Sequence, residues 1–278
     1  MLGPTLPQLR KKAPKMKWIE HEGRRGLVFD HLPEDLPIRH VYSAKQSDGS
    51  GNLSLSGGRP AEAALAERQS WSRFLKADAK RWVVGGQTHE ANVAQVGEHE
   101  CGRGAESPQT VLPQTDGLLT TQAGVPLYVA GADCATVLLA CSQPRAALAV
   151  VHAGWRGAAA GIVGNAVRQM LKAVGGMPTQ IFAGVAPCIG AASFEVGDEV
   201  AEQVPQQWRH QPGPKWHIDL AGWIGQQLLD EGIAQSHLQI APNDTMAEND
   251  LFFSHRGDGP ETGRQGLIAV IDDSANHG

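Results

Sequence analysis

One stretch constrains this chain more than any other: residues 146–157, A-A-L-A-V-V-H-A-G-W-R-G. Its first half is an unbroken run of small and β-branched apolar residues, as a strand requires when both its faces are buried. The run stops at His152. Gly154 and Gly157 follow, where a backbone can turn sharply or pass close to a ligand. From Ala158 the apolar period changes, and Ile162, Val163, Ala166, Val167, Met170, Leu171 and Val174 fall on one helical stripe. His152 and Arg156 therefore stand where a buried strand turns into a helix. Open sheets collect ligands at such places, and helix amides there favour anions. Each residue alone also has a plainer reading, as the end of a strand or as a solvated loop charge.

Further strand-like runs occupy 26–29, 38–43, 81–84, 116–120, 126–130, 136–140, 180–185, 237–241 and 267–271. Helical patterns cover 60–77, 195–204 and 219–229. Strands come mostly in runs with few helices between them. That predicts α+β, specifically a mixed-sheet α/β sandwich, rather than a doubly wound parallel sheet. The Gly- and Ser-rich stretch 46–59 reads as a mobile loop close to the site, and 98–114, without any period, reads as an exposed one. A basic lead-in over 1–20, carrying Arg10, Lys11, Lys12, Lys15 and Lys17, is expected to be disordered. It lacks the apolar core of a signal peptide.

Charge and composition exclude several classes. A formal charge of −5 argues against nucleic acid or an anionic membrane as partner. No apolar run approaches the ~18 residues of a membrane span. The four cysteines, Cys101, Cys134, Cys141 and Cys188, are far apart and form no C-x-x-C pair. They read as thiols or metal ligands in a cytoplasmic protein rather than as a disulfide framework.

Three potential ligands share a position: His89, Cys134 and His152 each lie at or just past an apolar strand. Imidazole and thiolate suit Zn²⁺, and three protein ligands with an open fourth position are the pattern of a catalytic site. The same atoms permit another chemistry without metal, with Cys134 as nucleophile and His152 as base. Spacing alone leaves both open.

Six motifs occur in order: Q-T-H-E-A-N-V, D-G-L-L-T, G-A-D-C-A-T-V-L-L, V-H-A-G-W-R-G, A-P-C-I-G-A-A-S-F-E-V and F-F-S-H-R-G-D-G-P-E-T-G-R-Q. Together they resemble the laccase-domain family, also called YfiH-like or multicopper polyphenol oxidase proteins, over 41–271. The resemblance implies a single catalytic domain over 21–278. It also implies a zinc-dependent purine nucleoside phosphorylase acting on adenosine, inosine and methylthioadenosine with phosphate, and an accompanying adenosine deaminase activity. The family's metal ligands fall on His89, Cys134 and His152. Copper is the alternative metal, from the older oxidase name. None of the eleven histidines, however, forms the H-x-H pair typical of multicopper sites.

The chain departs from the family pattern around this set. Lys45 stands where an arginine is usual, keeping the charge but not the bidentate fork. Glu90 replaces the glycine after the first ligand, Asp244 and Thr245 replace a Cys-Thr pair, and Gly257 follows Arg256 in place of a second arginine. Arg156 and Lys45 are the expected phosphate-binding residues, with Arg256 and Arg264 behind them. Asp133 and Glu90 are the carboxylates expected to carry a proton in deamination. Cys188 reads as a buried small residue or a thiol behind the ligands. A Cys134–His152 hydrolase, or a binding protein without nucleoside activity, remains the alternative class.

Overall fold

A computed structural model of the 278-residue chain describes residues 16–56 and 60–272. In chain order the elements are β1 (Lys17–His21), β2 (Arg24–Val28), β3 (Ile38–Ser43), α1 (Ala61–Leu75), β4 (Val83–Val84) and β5 (Val93–Gln95). Then come β6 (Gly117–Thr120), β7 (Leu127–Gly131), β8 (Ala135–Cys141), β9 (Ala147–Ala153), α2 (Trp155–Ala159) and α3 (Ile162–Val174). The last third contains β10 (Phe182–Val185), β11 (Glu195–Val196), α4 (Asp198–Ala201), β12 (Arg209–His210) and β13 (Trp216–Ile218). It ends with α5 (Leu220–Asp230), β14 (Leu238–Ile240), α6 (His255–Asp258) and β15 (Gln265–Ile271).

Two six-stranded sheets form, ordered β1-β2-β3-β15-β7-β4 and β14-β10-β8-β9-β6-β5, with β11-β13-β12 as a small third. Both large sheets are mixed: β4/β7, β5/β6 and β10/β14 pair in parallel and the other neighbours antiparallel. The strand periodicity explains the layering. Leu138, Leu148 and Val150 point inward and meet Leu127, Val129, Leu267 and Ala269 of the opposite sheet. Val137, Leu139, Ala149 and Val151 point outward under α3 and α5. Every residue of β8 and β9 is therefore buried, because each face serves a different core. On the other side α1 covers Val41, Tyr128, Ile268 and Val270 with Trp71 and Leu75. The result is the expected mixed-sheet sandwich, with helices outside both sheets.

Several expectations change in detail. Of the lead-in expected to be disordered over 1–20, residues 1–15 lie outside the described residues, whereas Lys17–His21 is an edge strand. Its turn to β2 uses Glu22 and Gly23, both at positive φ (51° and 74°), which match the twist of a tight hairpin. Trp18 then stacks on Phe252 at 6.1 Å. The helix expected over 195–204 shrinks to α4, because residues 195–196 pair with β13 and Gly197 intervenes. The loop expected to be mobile is pinned over 46–56: Leu53 is fully buried, its N–H donates to Arg264 O and its carbonyl accepts from Arg68 Nε. Residues 57–59 of that loop lie outside the described residues. The helical stripe from 158 is interrupted at Gly161, whose φ of 77° separates α2 from α3.

None of the four cysteines forms a disulfide. Among the described residues no helix is long and apolar enough to cross a membrane.

Candidate metal centre and cleft

The β8/β9 register explains why two distant residues meet. Thr136 pairs with His152 and Ala135 with Ala153. Cys134, two positions before Thr136, therefore falls on the side of the sheet that carries His152. His89 arrives from the loop after β4. Gln87 fixes the loop's start, as its amide exchanges hydrogen bonds with Ala130 N–H (2.8 Å) and Ala130 O (2.9 Å). His89 itself is at φ 64°, a left-handed conformation uncommon outside glycine. The ligand atoms of His89, Cys134 and His152 all lie within 4.8 Å of one another. The two imidazoles sit edge to face, 4.8 Å apart at an interplanar angle of 84°.

Asp116 holds this arrangement together. Fully buried, it accepts the backbone N–H groups of Thr88, His89 and Glu90 at 2.9–3.1 Å. Its Oδ1 also lies 2.8 Å from His152 Nδ1. The His152 side chain and the His89 loop thus share one carboxylate. Burial alone would raise the Asp116 pKa, but His152 and the amides hold it down at about 2. Hydrogen bonding through Nδ1 leaves His152 Nε2 for the ligand cluster, as carboxylates do behind metal-bound histidines.

The thiol follows the same logic. Burial would raise the Cys134 pKa, yet His152 and then His89 outweigh it and bring it down to about 6. In the same pair burial lowers the His152 pKa, and the thiolate and Asp116 more than reverse that, to about 9. A thiolate with two imidazoles is a donor set that fits a single Zn²⁺. Gly154 leaves the room: a Cβ there would lie 2.9 Å from Cys134 Sγ and 3.2 Å from His89 Cδ2.

The cluster opens on a cleft of about 560 Å³. Arg68, Arg156, Arg256 and Arg264 line it with Tyr128 and Phe194. Arg156 stacks on Trp155, its guanidinium carbon 4.3 Å from the ring centroid. Arg256 is steadied by Glu195 O at 2.8 Å. Asp133 lines the cleft too, in a left-handed turn (φ 85°) between β7 and β8. Both its oxygens are occupied: Thr245 Oγ1 donates to one and Arg256 N–H to the other, each at 2.7 Å. The Glu90 side chain, exposed, faces a second hollow on the outer side of His89, also lined by Arg156.

Lys45 is elsewhere. It does not line the cleft; its Nζ donates to Asn249 O at 2.8 Å and lies 3.7 Å from Asp258. Cys188 is buried beside Asp244, with which it forms an isolated bridge. Sequence reasoning gave no role to Asp116, Arg68 or Tyr128. For Asp116 the signal was present in D-G-L-L-T, an acid at the very start of an apolar strand. Arg68 and Tyr128 sit inside ordinary helix and strand patterns.

A family model described as multi-copper polyphenol oxidoreductase laccase matches residues 39–272. Over 245 residues, 85% of this chain and 88% of the relative, the sequence is 32% identical to the purine nucleoside phosphorylase YlmD of Geobacillus stearothermophilus. It is 30% identical over 208 residues to the adenosine deaminase RL5 of an unknown prokaryotic organism, covering 72% and 79% of the two chains. The crystal structure of YlmD from Geobacillus stearothermophilus superposes with a TM-score of 0.85 at 27% identity, covering 94% of this chain and all of the other.

Proposed function

This chain belongs to the multi-copper polyphenol oxidoreductase laccase family, and from that premise we propose that it is a zinc-dependent purine nucleoside phosphorylase that also deaminates adenosine. The observation that carries the reading is the cleft itself. A two-histidine, one-thiolate cluster stands at one end and four arginines line the same space. Such a cleft suits a neutral purine nucleoside together with phosphate. A Cys–His hydrolase would need neither the second histidine against the thiol nor the arginines.

His89, Cys134 and His152 would hold the metal, which when bound supplies Lewis acidity toward an oxygen or nitrogen of the reactants. The remaining work falls to this chain's own groups. Arg156, with Arg256 and Arg264, attracts phosphate and holds it against the sugar as positive charge develops there. Trp155 and Glu195 O restrict the Arg156 and Arg256 guanidiniums, so less freedom is lost on binding. Asp133, with both oxygens committed, positions Arg256 and the start of α6 rather than exchanging protons. The Glu90 side chain makes no hydrogen bond or ion pair among the described residues, but it faces the second hollow beyond His89 rather than the cleft, so a proton-transfer role for it would require the adenine to reach that side.

The test is chromatography of adenosine reactions with and without phosphate, run beside metal analysis of protein purified without added metal. Adenine and ribose 1-phosphate should appear only with phosphate, and inosine with or without it. Zinc-loaded protein that yields neither adenine nor inosine ends the nucleoside reading.

A further inference from the structure

Phosphorolysis of a purine nucleoside has a requirement that neither the ligand cluster nor the arginines meet. As the C1′–N9 bond breaks, its electron pair passes into the purine, and the base leaves readily only if a ring nitrogen takes up a proton. Most ionisable side chains that line the cleft are unsuited to supply it. The guanidiniums of Arg68, Arg156, Arg256 and Arg264 do not release protons near neutral pH. Asp133 has both oxygens committed, to Thr245 Oγ1 and to Arg256 N–H. Burial pushes the Tyr128 phenol up to about 12, and its side chain is packed in the core under α1. His89, Cys134 and His152 form the ligand set. Among the described residues of the cleft, His255 alone remains.

His255 is the first residue of α6, in the motif F-F-S-H-R-G, and the fold fixes that short helix beside the ligand end. Asp133, next to Cys134, accepts Arg256 N–H at 2.7 Å. Ser254 Oγ accepts Gly257 N–H at 3.0 Å, and Asp258 accepts from Asn249 Nδ2 and Thr262 Oγ1, each at 2.9 Å. The backbone on both sides of His255 is thus tied down. Its imidazole is exposed and makes no hydrogen bond, ion pair or ring contact among the described residues. The side chain can therefore turn onto a bound base without breaking a structural contact. Histidine is also the residue type that can give up a proton and regain it near neutral pH.

We propose that His255 is the general acid of phosphorolysis, its imidazolium giving a proton to N7 of the purine as the base leaves. The inference rests on the phosphorylase reading and adds the proton donor that this reading lacks. An oxygen of the hydrogen phosphate dianion bonds to C1′ while the C1′–N9 bond breaks, and the electron pair of that bond moves into the ring. The imidazolium proton goes to N7, the lone-pair nitrogen of the five-membered ring, and the base departs neutral. The imidazole regains a proton from the ribose 1-phosphate monoanion, which leaves as the dianion.

The experiment compares zinc-loaded wild type with His255→Gln on inosine and on 7-methylinosine, whose N7 is already alkylated so that its base leaves without a proton. With inosine, kcat should fall about 100-fold, whereas with 7-methylinosine it should stay within about threefold. Zinc content, and the Kd for inorganic phosphate by calorimetric titration, should match wild type, since His255 serves neither. An inosine kcat within about threefold of wild type overturns the proposal, as do equal losses on the two nucleosides.

The pH profile of inosine phosphorolysis decides the same point by a separate route. The charged groups around the imidazole are Arg256 and Asp258 on α6 itself, Asp133 just before β8, Arg264 just before β15, and Glu195 of β11, whose carbonyl accepts from Arg256. These are present in both proteins, so the difference between the two profiles belongs to His255. Only the protonated ring can give the proton, so wild-type kcat should fall as pH rises through its titration, and His255→Gln should lack that limb. A limb kept in the variant overturns the proposal. Wild type that makes no ribose 1-phosphate from inosine removes the phosphorylase reading itself. Wild type that makes it, with His255→Gln equally fast, removes only the role of His255.

Discussion

The two ends of the cleft are built in opposite ways. At the ligand end, His152 lies in β9 and Cys134 directly precedes β8, neighbouring strands in which every residue is buried, and His89 is tied to His152 through Asp116. At the cationic end, the arginines come from three helices, α1, α2 and α6, and from the residue before β15, and they are steadied by backbone carbonyls and ring faces. The first arrangement fixes atoms through backbone register, where a one-residue slip would turn His152 to the other face. The second fixes charge more than position. Departures from the family pattern fall away from both ends: His89, Cys134 and His152 are all present, whereas Lys45, Glu90, Asp244, Thr245 and Gly257 do not line the cleft.

That contrast predicts a hierarchy of effects. Cys134→Ala should be the most severe, removing most of the metal and both activities together, by roughly a hundredfold or more. Metal content by elemental analysis, with parallel assays, checks it. A variant that keeps zinc and activity would show that the strand-borne end is not the chemical centre.

Next comes Asp116→Asn, which tests whether one buried carboxylate organises both histidines. Metal affinity should fall roughly 10–100-fold, as for loss of a group that orients ligands. Acid stability should change as well. The Asp116 pKa is depressed from 3.8 to about 2. Its contribution is therefore complete above the ordinary carboxylate pKa and is lost as pH falls through about 2. Acid unfolding of metal-free wild type should show this loss and the Asn variant should not, measured by circular dichroism. Identical acid profiles would demote Asp116 to a packing residue.

At the cationic end the expected losses are smaller and selective. Arg156→Ala should cut phosphorolysis roughly 10–100-fold, the worth of one charge-assisted contact, while deamination stays within about threefold. Equal losses in both reactions would mean that Arg156 serves the ligand end, and the comparison between the ends would break. Lys45→Ala should do least. Its ammonium is held by Asn249 O and Asp258 outside the cleft, so both activities should stay within about twofold and stability should fall by no more than ~1 kcal/mol. A marked rise in the phosphate KM would return Lys45 to the site.

The amino-acid sequence by itself determined the layers and singled out the three candidate ligands that the fold brings together. Patterns with a period of two or of 3.6 are local, and in residues 147–153 and 162–174 they are dense enough to define a buried strand and an outer helix. His89, Cys134 and His152 are legible because few side chains offer a soft donor at the end of an apolar run. Tertiary structure decided the rest. Asp116 acquires its role only when three amides from another loop and one imidazole converge on it. Where Lys45 sits was likewise decided by the fold: just past β3, its ammonium meets Asn249 O and Asp258, a contact about 200 residues distant in sequence, and it does not line the cleft. His255 stands out only once the fold commits the other ionisable groups of the cleft and leaves its imidazole unmatched. Periodicity records which face of an element is buried. Which polar atoms meet, and which are left without a partner, depends on the register between strands and the paths of loops, and those are settled only when the two sheets close on each other.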